Sequence, residues 1–235
     1  VFGFLKGSSQ PKKPAFSVQP RQEVEVEFEV GNGVYEAYFV QVQEKHSSKL
    51  VLQTPGTSGK QLRVGDGQSV TLSVLCNDAI FSCNTSVLSA RDREFDIKFT
   101  KKDETAMEAT SFPPRDDDFS IQVSIPVEFR AMSTAHTQVA KTHSVTQNGI
   151  FLQTNLPIPK ATSLIIEVEI PNGTEINTKG KALSSTEDNS SGRRQYITEI
   201  EFDADISEKD RNALVRYAMF LKQRQERAEK RLADG

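Results

Sequence analysis

Lys141-Thr142-His143-Ser144-Val145-Thr146-Gln147-Asn148-Gly149-Ile150-Phe151-Leu152-Gln153-Thr154 runs from a polar segment through an Asn-Gly pair into an apolar strand. Asn and Gly tolerate positive φ, so Asn148-Gly149 is expected to turn tightly. The strand has an earlier counterpart, because Leu50-Val51-Leu52-Gln53-Thr54 is echoed by Ile150-Phe151-Leu152-Gln153-Thr154, and a Pro-containing loop follows each. Further echoes keep the same order: Val70–Leu75 with Leu164–Ile170, Leu88-Ser89 with Leu183-Ser184, and Phe95–Phe99 with Tyr196–Phe202. Matching segments in one order predict two domains of one kind in tandem.

Outward from this repeat the chain reads as short strands. Glu23-Val24-Glu25-Val26-Glu27-Phe28-Glu29-Val30 alternates strictly, which predicts a half-buried strand with its glutamates in water. Gly31-Asn32-Gly33 has hairpin-turn chemistry, and Val34–Val42 is expected to return as a second strand. Lys49–Gln53, Ser69–Cys76, Ile80–Leu88 and Glu94–Thr100 follow, punctuated by Gly and Asn-Asp. Strands at this spacing without a helical period point to an all-β fold of two tandem antiparallel β-barrels, six- to seven-stranded.

The expected organisation is a flexible leader at 1–20, a first barrel at 21–102, a linker at 103–118, and a second barrel with a terminal helix at 119–235. Charge and proline mark the linker, in Lys101-Lys102-Asp103-Glu104 and Pro113-Pro114-Arg115-Asp116-Asp117-Asp118. Alternation resumes at Ile121, Val123, Ile125, Val127 and Phe129, with Pro126 on the opposite face at an edge or bulge. Ser207 is the expected helix cap, with Asp210 in the capping-box position. Leu214, Tyr217, Ala218 and Leu221 form a stripe suited to the second barrel. The cations beyond it, Lys222, Arg224, Arg227, Lys230 and Arg231, complement the helix dipole; a patch for RNA or lipid is the sharper alternative.

With 235 residues, 36% hydrophobic and 26% charged, the chain has the composition of a globular protein. Its net charge of −3 supplies no global field toward nucleic acid or anionic lipid. Val1–Leu5 is too short for a signal peptide or membrane span, and a cytoplasmic protein is expected. A two-residue hairpin at Asn77-Asp78 would set Cys76 opposite Ala79 and Cys83 opposite Leu72, leaving both thiols free. His46, His136 and His143 have no metal-ligand spacing, and no Walker loop, dinucleotide fingerprint or nucleophile elbow is present. No enzyme, metal or obligatory cofactor is expected. His143 lies in the opening segment and His136 shortly before it, where paired imidazoles can bind phosphate or report pH.

The order of parts resembles the PilZ family, specifically its two-domain flagellar-brake type, over roughly residues 20–225. The patches that carry the resemblance are Ile121–Arg130, Gly149-Ile150-Phe151-Leu152 and Ile206–Tyr217. It implies a cytoplasmic receptor for cyclic di-GMP, gripped by an RxxxR motif in the linker and a [DN]xSxxG motif on the barrel. Guanidinium forks hold phosphate bidentately and stack on purines. The implied RxxxR positions fall on Asp116 and Ser120, or on Arg115 and Phe119 if shifted by one. The implied [DN]xSxxG positions fall on Ser144, Thr146 and Gly149. Arg115 with Asp116–Asp118 sums to about −2 where the family places positive charge against two phosphates. Each lost charge-assisted pair costs ~1.5–3 kcal/mol.

The expectation is therefore a non-enzymatic adaptor of the cyclic di-GMP pathway with a degenerate site, docking to a protein partner in flagellar or other signalling machinery. The resemblance also allows homodimers through the N-terminal barrel. The Glu23–Glu29 face and the basic helix end are the candidate contact surfaces. The alternative is a working cyclic di-GMP receptor regulating motility, biofilm or virulence.

Overall fold

Period-two alternation builds two sheets that each close on themselves in the computed structural model, which describes residues 16–31, 34–54, 64–76, 79–111, 119–170, 174–190, 192 and 194–234. The first barrel contains β1 (Glu23–Gly31), β2 (Val34–Lys45), β3 (Lys49–Gln53), β4 (Ser69–Cys76), β5 (Ala79–Ala90) and β6 (Glu94–Lys98). Then come α1 (Lys101–Ala106), β7 (Glu108–Ser111) and β8 (Ser120–Gln122). The second barrel contains β9 (Pro126–Ala131), β10 (Gln138–Thr146), β11 (Gly149–Thr154), β12 (Ser163–Ile170), β13 (Thr174–Asp188) and β14 (Gln195–Phe202), and α2 (Glu208–Asp234) follows. Strand order is β4-β1-β2-β3-β6-β5 in the first, closed by β4–β5, and β12-β9-β10-β11-β14-β13 in the second, closed by β12–β13. All pairings are antiparallel, and β7 and β8 add a seventh strand to β5 and β10 respectively.

The repeat is also one of irregularities. Register slips past Gln43 between β2 and β3, and past His143 between β10 and β11. It slips again past Leu88 between β5 and β6, and past Leu183 between β13 and β14. A bulge bends its strand, so both barrels turn the same two corners with the same device. The turns before β4 and β12 also correspond. Gly67 (φ 78°) donates to the Val87 carbonyl in one, and Ala161 (φ 67°) donates to the Ala182 carbonyl in the other. An alanine in the left-handed region is strained where glycine is not. Ala161→Gly is expected to raise unfolding stability by about 0.5–1 kcal/mol, read from the denaturant midpoint.

Val24, Val26 and Phe28 fill the first barrel, and Val127, Phe129, Leu152 and Ile166 the second. The expected leader is not loose throughout: Val18 is fully buried in the first core, and Phe16 stacks on Phe81 at 4.5 Å. Glu104 ties this segment down, accepting from the Val18 N–H and from Lys45 Nζ, each at 2.7 Å. Residues 101–111, read as charged linker, carry α1 and β7 on the first barrel. Thr100 and Asp103 make a reciprocal capping box that α1 needs because it buries no side chain. Arg115 and Asp116–Asp118 lie outside the described residues. Pro126 is neither at an edge nor in a bulge: it opens β9, which lies between β12 and β10.

The outer face of β1 differs from expectation. Glu25 is fully buried and Glu27 is 3% exposed, because α2 lies over them. Capped by Ser207 Oγ accepting from the Asp210 N–H at 3.0 Å, the helix packs Leu214 and Ala218 into the second core. It then continues across the first barrel. Arg224 and Arg227 reach Glu25 at 3.0 and 3.1 Å, Arg227 and Arg231 reach Glu27 at 3.1 and 3.3 Å, and Arg231 also covers the Tyr35 ring. Glu25, Glu27 and these arginines cover one another, so of the glutamate face expected as a contact surface only its ends, Glu23 and Glu29, keep solvent exposure. Three of the five cations of the basic run make intramolecular ion pairs with β1, which neither the dipole reading nor the RNA or lipid reading anticipates, and Arg231 also stands in the last turn of the helix.

Candidate functional site

The opening segment occupies β10, a turn and β11. The bulge at His143 sets Ser144 opposite both Phe151 and Gln122, so one residue meets two neighbouring strands. Thr146 Oγ1 donates to the Gly149 carbonyl at 3.1 Å across the turn, and the Phe202 N–H donates to the Asn148 carbonyl at 2.9 Å. Neither Asn148 nor Gly149 has a positive φ, so the turn does not rest on that freedom. Glycine is required at 149 for another reason. A Cβ there would lie 2.0 Å from the Ile200 carbonyl oxygen, so β14 presses on the backbone.

A cavity of about 600 Å³ opens beside this turn. Ser120, Ser144, Thr146 and Gly149 all line it, so the fold brings these four motif positions together. Asp116 and Arg115 lie outside the described residues, and Phe119, 2% exposed in the second core, meets the cavity as an apolar wall that brings no charge. The histidines separate. His143 lines the cavity, whereas His136 precedes β10 and does not line it. The Asp188 carboxyl is held below its usual range chiefly by the Ser190 N–H and hydroxyl, with a smaller pull from His143.

Glu199 and Glu201 also line the cavity, beside Gln147, Asn148 and apolar side chains, and the sequence singles out neither glutamate. The β11–β14 pairing puts Phe151 opposite Glu199 and Gly149 opposite Glu201. Ser184 donates to Glu199 at 3.1 Å. Among the described residues no Lys or Arg lines the cavity, so its fixed charge is negative. The nearby Arg211 guanidinium turns to Asn148 Oδ1 at 3.3 Å. Among the described residues no group of His, Cys, Asp and Glu is arranged to hold a metal.

Residues 19–102 match the family described as PilZNR, flagellar protein YcgR. The first barrel is thus similar to the N-terminal domain of that family. A second closed barrel with a C-terminal helix follows it, which is the two-barrel order that the resemblance implies. A comparison with curated protein sequences finds no match. Solved structures similar to the chain include Bacillus subtilis inhibitor of motility MotI/DgrA, at 13% identity over 89% of this chain and 99% of that one, with a TM-score of 0.39. Escherichia coli YcgR in complex with c-di-GMP is similar at 14% identity over 89% and 88%, with a TM-score of 0.35. Apo MrkH of K. pneumonia is similar at 12% identity over 87% and 89%, with a TM-score of 0.38.

In the first barrel, Glu44 and Lys49 stand where the second barrel has Ser144 and Gly149. Lys49 Nζ lies 2.7 Å from Asp96, with Arg91 at 3.6 Å, so an ion pair occupies the equivalent place. Burial pushes the Asp96 carboxyl up, but Lys49, Ser89 and Arg91 outweigh it and hold it below the usual range. The thiols of this barrel are free as expected, with Cys76 opposite Ala79 and Cys83 opposite Leu72. Burial, then Asp103, pushes the Cys83 thiol up to about 12, which keeps it protonated and unreactive. Among the described residues no helix is long and apolar enough to cross a membrane.

Proposed function

We propose that the chain is a non-enzymatic adaptor of the cyclic di-GMP pathway, whose second barrel keeps the shape of a dinucleotide site without its charge. It acts by docking to a protein partner in flagellar or other signalling machinery. The match of the first barrel to a flagellar-protein family supports that class of partner. The observation that carries the reading is the cavity lining: Ser120, Ser144, Thr146 and Gly149 converge there, but the anionic side chains beside them are Glu199 and Glu201. Two phosphates brought against two carboxylates in a partly desolvated recess meet repulsion where guanidinium forks would attract.

Calorimetric titration with cyclic di-GMP tests this. The expected result is a Kd of about 1 mM or weaker, ~−4 kcal/mol. Micromolar affinity would overturn the reading in favour of a working receptor, for which the cavity of about 600 Å³ leaves room. The combined variant Asp116→Arg, Ser120→Arg and Ser144→Asp is expected to gain saturable binding, since it restores the missing grip around an existing cavity.

A further inference from the structure

We propose that the outer face of β9, β12 and β13 docks an amphipathic helix of a partner protein that carries bulky apolar residues followed by arginines. The first barrel shows what covers such a face. One row of residues crosses its strands in register: Ser82, Ser73, Glu25 and Phe39. Every member of that row holds α2. Ser82 Oγ accepts from Gln223 at 2.7 Å, Ser73 Oγ accepts from Arg227 at 3.0 Å, Glu25 pairs with Arg224 and Arg227, and Phe39 meets Tyr217 and Phe220 edge-on at 6.0 and 5.1 Å.

The same row crosses the second barrel as Asn177, Glu167, Glu128 and Val139. It is uncovered. All four are exposed, and Val139, the counterpart of Phe39, is 74% exposed. The row forms the floor of a depression of about 460 Å³, rimmed by Glu169 and Glu175. Among the described residues none of the four glutamates has an ion-pair partner. The cations on this face are elsewhere engaged or at its margin: Arg130 donates to the Thr134 carbonyl, Lys179 lies 3.9 Å from Asp205, and Lys141 stands opposite Pro126. The face thus keeps the acidic and apolar positions that bind a helix in the first barrel, with Glu167 in place of Ser73 adding a charge. A groove of this kind reads apolar anchors at i and i+3 and then basic side chains one to three turns on, as α2 presents Tyr217, Phe220, Arg224 and Arg227.

The probe is a fluorescent synthetic peptide of residues 207–232, added to the intact chain and followed by anisotropy. The expected result is saturable micromolar binding, weakened at least tenfold by Glu128→Lys with Glu167→Lys in the chain. Arg224→Glu with Arg227→Glu in the peptide is expected to do the same, and high salt to weaken binding. Val139→Ser, which alters no charge, is expected to weaken binding several-fold and serves as a second variant. Circular dichroism spectra should be unchanged, since these side chains are exposed. Absence of binding would overturn the proposal. So would binding indifferent to the Lys substitutions, which marks exchange with the chain's own α2. Sedimentation showing a dimer that Glu128→Lys dissociates would also overturn it, because the occupant would then be a second copy. The inference is independent of whether the cavity at Ser144 takes a nucleotide.

Discussion

Arg227→Ala is expected to lower unfolding stability by about 3–5 kcal/mol at neutral pH, with the loss shrinking as the pH falls toward 5. Arg227 reaches Glu25, Glu27, Ser73 and Gln223 at once, at 3.1, 3.1, 3.0 and 2.7 Å. Removing it leaves Glu25 in a dry site with only Arg224, and an uncompensated buried charge costs more than a lost surface pair. The pH dependence follows from Glu25. Burial holds its carboxyl above the usual range, and the two guanidiniums offset this only in part. Between the unfolded value near 4.5 and the higher folded one, the folded state binds more protons, so falling pH favours folding through this group.

Without Arg227 one of the opposing pulls is gone, and protonation relieves more of the penalty. Asp96, Asp103 and Glu104 act in the opposite direction. Their carboxyls are held below the usual range, so the stability they add is lost as pH falls through acid, but equally in both proteins. Urea unfolding of parent and variant at pH 7.5 and pH 5 gives the difference directly. A deficit below about 1 kcal/mol, the level of an exposed pair, or one growing toward acid would contradict the buried clamp.

Gly149→Ala is expected to cost about 3 kcal/mol, lowering Tm by roughly 6–12 °C for a chain of this size. The added carbon would stand 2.0 Å from the Ile200 carbonyl oxygen and 3.2 Å from Glu201 Cα, both main chain, so β14 itself must move. Gly65→Ala is the control, since nothing lies within 4 Å of its added carbon and its φ is not left-handed; a change within about 0.5 kcal/mol is expected. Differential scanning calorimetry of both variants decides the matter. An unchanged Tm for Gly149→Ala would mean that the strands are not pressed together there. The result also governs how ligand data are read: loss of binding in this variant reflects a displaced strand, not a missing ligand contact.

Strand identity and the tandem repeat are legible in sequence because each strand carries its own alternation and the echoes recur in order. The bulges at Leu88 and Leu183 are legible only as a shared Leu-Ser pair, since register depends on the opposing strand. α1 leaves a trace in Thr100 and Asp103, three residues apart, which its charged surroundings obscure. The acidic face of β1 misleads because alternation reports which side chains share a face, not what lies over that face. Its covering arginines come from 199 to 204 residues later. At the site, Ser120, Ser144, Thr146 and Gly149 are legible through a motif, whereas Glu199 and Glu201 arrive through the β11–β14 pairing. Local pattern cannot report a neighbour supplied by a strand some 50 residues away.

The clamp between α2 and β1 sets an order of assembly. A growing chain emerges N-terminus first, so β1 and its barrel are made long before Arg224, Arg227 and Arg231 exist. Until then Glu25 and Glu27 face water as hydrated carboxylates, and the first barrel carries an unfinished surface. Only once the terminal helix has been made can its arginines cover and dehydrate them. The first barrel to be made thus waits for the last element of the chain to finish its surface.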